Sequence, residues 1–188
     1  MKTKDIAYGG LMVAVFIALN LIFRGNIRVV QTYLEIIKII VIAVFLRKIN
    51  SNAWWIFTLA CFVSCLFFVS LFDTLIYNKP SIICGITIGL QKHSDRKFRN
   101  YLSFFAVHSV MMIYEIVMFG IIMKTNLFTL YREQSSGILA LITNGAVNEI
   151  FSEIFLVLFI ILDSAFSSFV IFTLTQITLQ RLNKINRN

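Results

Sequence analysis

"IAYGGLMVAVFIALNLIF", Ile6 to Phe23, runs for eighteen residues without a charged side chain. As an α-helix it rises about 27 Å, close to the ~30 Å hydrocarbon core of a bilayer. Lys2 and Lys4 precede the run and Arg24 closes it. It mimics a secretory leader, but it lacks a small-residue cleavage site and ends on a cation. The run therefore reads as a retained first helix.

The same texture recurs outward from this run. The chain has 188 residues, 59% of them hydrophobic, with nineteen phenylalanines, one proline and a mean hydropathy of +0.84. A water-soluble domain of this size cannot bury that much apolar surface. Period-2 alternation is absent, which argues against a β-barrel. The expected fold is an all-α, polytopic membrane protein, one transmembrane domain over residues 1–188. Six spans are expected: Ile6–Phe23, Val29–Leu46, Ala53–Phe72, Pro80–Leu90, Tyr101–Met123, and one within Ile138–Gln180. Trp54 and Trp55 suit the membrane interface at the start of the third.

The formal charge of +8 does not call for nucleic acid, because the cations fall between apolar runs. With the N-terminus inside, the cytoplasmic segments hold eleven Lys and Arg: Lys2 and Lys4, Arg47 and Lys48, Lys92 to Arg99, and Arg181 to Arg187. The outer segments hold five: Arg24, Arg28, Lys79, Lys124 and Arg132. Lys38 lies inside the second span. This asymmetry predicts both termini in the cytoplasm.

Two spans are irregular. The short fourth helix, Pro80–Leu90, has eleven residues and rises only about 16 Å. The turn before it, Asp73 to Lys79, is therefore predicted to sink to membrane depth, where it must line a cavity. The final run of forty-three residues would rise about 65 Å as one helix. A break at Asn144–Gly145 is expected, with a short outer segment leading into one long sixth helix.

That break opens the most polar membrane-depth stretch, "NGAVNEIFSEIF", Asn144 to Phe155. Asn144, Asn148 and Ser152 stack at helical spacing beside Gly145, Glu149 and Glu153. A carboxylate at mid-bilayer costs ~2.5–3.5 kcal/mol on insertion scales, so such groups usually face a bundle interior. Lining of a cavity near the outer mouth is the functional reading of Asn144, Asn148, Glu149 and Glu153. Solvation in the headgroup layer and an ion pair with Lys38 are the other two.

His108 and Glu115 lie seven apart on one face of the fifth span and are candidates for the same cavity, although a lone histidine also reads as structural. Glu35 and Lys38 are neighbours that neutralise each other. Asn20 is placed to bond a neighbouring helix. Arg24 and Arg28 bracket the first outer loop, as attractors of an anionic substrate or as interfacial anchors. Gly10, Ala14 and Ala18 form a small-residue face, for packing within the chain or for docking another membrane subunit. Cys61, Cys65 and Cys84 read as packing residues. No metal site or cofactor is expected, and the absence of a P-loop means that any ATP hydrolysis comes from elsewhere.

"KTKDIAYGGLMVAVFIALNLIF", with Gly10, Ala14 and Ala18 every fourth residue, resembles the first helix of substrate-binding S components of energy-coupling factor (ECF) transporters. "SIICGITIGLQKHSDRK" is similar to that family's short fourth helix and basic cytoplasmic turn. The resemblance implies a non-enzymatic vitamin- or micronutrient-binding subunit of a bacterial ABC-type importer in the cytoplasmic membrane. It implies a small molecule held near the extracellular side, under the loop after the first helix, by helices 4, 5 and 6. It also implies a transmembrane coupling protein and two cytoplasmic ATPases as partners, with Gly10, Ala14 and Ala18 docking on the coupling protein. The acids at Glu149 and Glu153 depart from the family's pocket.

Two other readings stand beside it. One is a membrane scaffold resembling the rod-shape-determining subunit of similar size. The other is a membrane cysteine peptidase using Cys84 and His93, but that family's Arg-x-x-Gly-Gly-x-His element is missing.

Overall fold

The computed structural model describes residues 2–22, 28–49, 54–91, 97–124, 127–143 and 149–185. Among these the fold is all-helical, with seven helices and no strand. They are α1 (Thr3–Ile22), α2 (Arg28–Lys48), α3 (Trp54–Phe68), α4 (Lys79–Leu90), α5 (Lys97–Met123), α6 (Leu127–Thr143) and α7 (Glu149–Ile185). Three of them, α1, α5 and α7, are long and apolar enough to cross a membrane. The outer surface is correspondingly apolar: Leu141 is 82% exposed, Phe67 80% and Phe98 77%. Such side chains are at home against acyl chains.

The approach to α4 differs from the expected sunken turn. Ser70 starts a new helical segment, its hydroxyl accepting the Asp73 amide at 2.9 Å. One turn, Leu71–Asp73, leads through a π-helical stretch, Thr74–Asn78, directly into α4. The helical path thus continues from Leu71 to Leu90, a rise of about 30 Å at the α-helical value. Only the α-helical part is short. Pro80 sits in the first turn of that part, directly after the π-helical stretch, and supplies no amide donor there. Satisfying the backbone internally is the cheaper way to reach membrane depth.

In the last run one helix ends at Thr143 and the long one starts at Glu149. Asn144 and Gly145, the expected break, lie outside the described residues. The segment before the break is a seventeen-residue helix, α6, and not a short connection. The long helix has 37 residues, about 55 Å of rise.

The packing is organised around α2 and α4. Gly85 and Gly89 sit four apart on α4 and face α2. A Cβ on Gly85 would lie 2.7 Å from the Ile42 Cβ, and one on Gly89 2.9 Å from the Leu46 Cβ. The absence of side chains there lets the two helices meet at backbone distance, as small-xxx-small pairs do in lipid. On one side of this pair, α1 and α3 complete a core of Met12, Phe16, Ile42, Phe57 and Cys61. On the other, α5 and α7 complete a core of Ile39, Cys84, Ile88, Phe104 and Ile171. The Ser109 and Ser164 hydroxyls bond at 2.8 Å between α5 and α7. Asn20 donates to the Phe16 carbonyl and to the Cys65 sulfur on α3, as expected of an interhelical amide.

Candidate functional site

The second of these cores is incomplete. Where α2, α4, α5, α6 and α7 converge, the helices leave a half-enclosed cavity of about 400 Å³. That is the size of a small-molecule site, typically ~300–1,000 Å³. Its polar wall comes from four helices: Glu35 of α2, Ser81 of α4, His108 and Glu115 of α5, and Asp163 and Ser167 of α7. Tyr131 of α6 adds a phenol. The rest is apolar and partly soft, including Met111, Met112 and Phe166.

Helical spacing explains the convergence. His108 and Glu115 are two turns apart on α5, and Asp163 and Ser167 one turn apart on α7, so each pair shares a face. Pro80, Ser81 and Cys84 present the first turns of α4. The Ser81 hydroxyl donates to the Tyr77 carbonyl at 2.9 Å, inside its own helix. Cys84 is 2% exposed. His108 stacks at a tilt against Phe104, and its Nδ1 has no hydrogen-bond partner.

Lys38 does not neutralise Glu35 by contact. Its ammonium donates to the Asn78 side-chain oxygen at 2.8 Å and lies 5.9 Å from the centre of the Phe16 ring. The π-helical stretch delivers Asn78 to that position, fully buried. The cation is therefore held between α1, α2 and the lead into α4, while Glu35 faces the cavity.

The expected site residues divide. His108 and Glu115 are brought together as cavity lining. Glu153 is not in the cavity: it is half-exposed and ion-paired with Arg132 of α6. A charged partner and solvent at the α6–α7 surface thus satisfy Glu153 in this structure. Glu149 opens α7, and Asn144, Asn148 and Arg24 lie outside the described residues. Gly10, Ala14 and Ala18 all lie on the exposed face of α1, opposite its buried stripe of Gly9, Met12, Phe16 and Asn20. Nothing lies within 4 Å of where a Gly10 Cβ would stand.

Sequence reasoning missed Glu35, Tyr131, Asp163 and Ser167 as lining, and the glycine pair of α4 as the central contact. The available signal for Glu35 and Asp163 was their position inside apolar runs, since ionisable residues at membrane depth usually mark a site. The signal for Gly85 and Gly89 was their spacing. Comparison with protein-family models, curated proteins and solved structures found no match to the chain.

Proposed function

We propose that the protein is a multi-pass subunit of a bacterial cytoplasmic membrane that binds a small molecule for import, in the manner of an ECF-type S component. The observation that carries this reading is the 400 Å³ cavity among apolar helices, with acids, a histidine, a phenol and hydroxyls in its wall. Polar groups at such depth are costly unless they serve a ligand, water or each other. The reading takes α1, α2, α3, the Leu71–Leu90 segment, α5 and α7 as six crossings with both termini in the cytoplasm. Glu35, Glu115 and Asp163 then fall in the outer halves of their helices, which supports loading from outside.

The outward stripe of Gly10, Ala14 and Ala18 supports docking on a membrane partner, a coupling protein bearing two ATPases. The same stripe would serve a scaffold, but a scaffold has no use for the cavity. Native mass spectrometry of the protein in mild detergent tests the choice. The expected result is a retained small molecule, lost when Ser167→Phe fills the cavity in a protein that unfolds at an unchanged temperature. Finding no retained molecule, and no small-molecule binding that Ser167→Phe abolishes, would overturn the proposal.

A further inference from the structure

The charge around the cavity is one-sided. Three ionisable acids line it, Glu35, Glu115 and Asp163, and no Lys or Arg is among the described lining residues. The nearby cations are committed elsewhere. Lys38 is buried and bonded to Asn78, and Arg132 is paired with Glu153. Among the described residues none of the three acids makes a hydrogen bond or a salt bridge, although Glu35 stands within the field of Lys38. A carboxylate held away from bulk water without a partner is costly, and a partner of opposite charge offsets that cost. No Lys or Arg stands in the described wall, so a cationic ligand would offset that cost for all three acids.

The distribution of the acids narrows what arrives. They come from three different helices, and among the described residues no group of three His, Cys, Asp or Glu is close enough to hold a metal ion. A bare divalent ion needs its ligands to converge within about 2.0–2.6 Å of one point. These acids instead line a volume suited to an organic molecule. Tyr131 and Phe166 put aromatic surface in the same wall, and aromatic faces attract cations. Met111 and Met112 add adaptable apolar contact.

We infer that the cavity takes a small organic cation, an amine or cationic heterocycle, whose positive groups meet Glu35, Glu115 and Asp163 while its apolar body rests on Tyr131, Phe166 and the methionines. The inference rests on the small-molecule binding reading above and names the class of ligand for it. An uncharged isostere leaves the acids unpaired, and a carboxylate of the same shape adds repulsion to that loss.

The test uses the full chain in mild detergent and two matched series. One is tryptamine, tryptophol and indole-3-acetate. The other is p-xylylenediamine, 1,4-benzenedimethanol and terephthalate. Thermal unfolding and calorimetric titration are read for each compound, and mass spectrometry reads the charge of any molecule that co-purifies. Amines are expected to raise the unfolding temperature, alcohols and acids to leave it unchanged, and any co-purified molecule to be cationic. Glu115→Gln and Glu35→Gln should each weaken amine binding by about tenfold or more. The two series need no variant, so a substitution that fails to fold does not remove the test.

Alcohols or acids that bind as well as the amines, with Ser167→Phe abolishing their binding, would overturn the cationic class and leave the binding function standing. A neutral or anionic co-purified molecule would do the same. A cationic co-purified molecule supports the class even where no test compound binds. If no compound binds and none co-purifies, both the class and the binding function fall.

Discussion

Glu35 and Lys38 are three residues apart on α2, yet the fold sends one to the cavity and the other to Asn78. Spacing alone made them a pair. What separates them is Asn78, forty positions away, presented by a π-helical stretch that no local pattern announces. His108 and Glu115 were legible because a seven-residue interval keeps both on one face of any straight helix. Glu153 was not, because its partner Arg132 sits on a helix where a connection was expected. Two substitutions separate these roles. Glu153→Gln should change unfolding free energy by less than about 1 kcal/mol, as exposed ion pairs do, and leave ligand binding intact. Glu115→Leu should abolish binding in a protein that still inserts, since it removes the carboxylate and intrudes on the cavity. Loss of binding in Glu153→Gln, measured by titration, would return that residue to the pocket.

Among the elements, α4 carries the most consequence for its length. It was legible as an apolar segment opened by proline, but its role at the centre of the molecule depends on what Gly85 and Gly89 leave out. A Cβ on Gly85 would also stand 3.1 Å from the Ile39 carbonyl oxygen, a backbone atom that cannot swing aside. Gly85→Ala should therefore destabilise the protein by about 1–3 kcal/mol, the usual cost of overpacking, seen as a lower unfolding temperature in detergent. Ala14→Leu, on the exposed face of α1, should leave that temperature unchanged and reduce co-purification of a membrane partner. The end of α5 offers the opposite case. Lys124 follows it at φ 52°, a left-handed conformation that costs a residue with a Cβ about 1–2 kcal/mol. Lys124→Gly should raise the unfolding temperature, because glycine adopts that conformation freely.

Over the whole molecule, composition made the helical class plain, while charge asymmetry gives an expected sidedness. It did not reveal which helices meet, because in lipid the contacts are set by small residues and polar bonds and not by hydrophobicity. The sidedness is open to a direct measurement. Cys61 and Cys65 are fully buried and Cys84 is 2% exposed, so the native thiols give little background to a water-soluble maleimide. Lys2→Cys and Lys184→Cys, both at exposed positions, should label together from the cytoplasmic face of membrane vesicles. Labelling from opposite faces would mean an odd number of crossings and would end the six-span topology. The Lys38–Asn78 hydrogen bond has one more effect, on occupancy. The chain carries its own ammonium on a flexible tether, one helical turn from Glu35, and a single amide oxygen keeps it parked elsewhere. Replace Asn78 with leucine and that anchor is gone: on the cationic-ligand proposal, the chain's own ammonium then competes for Glu35 and weakens ligand binding.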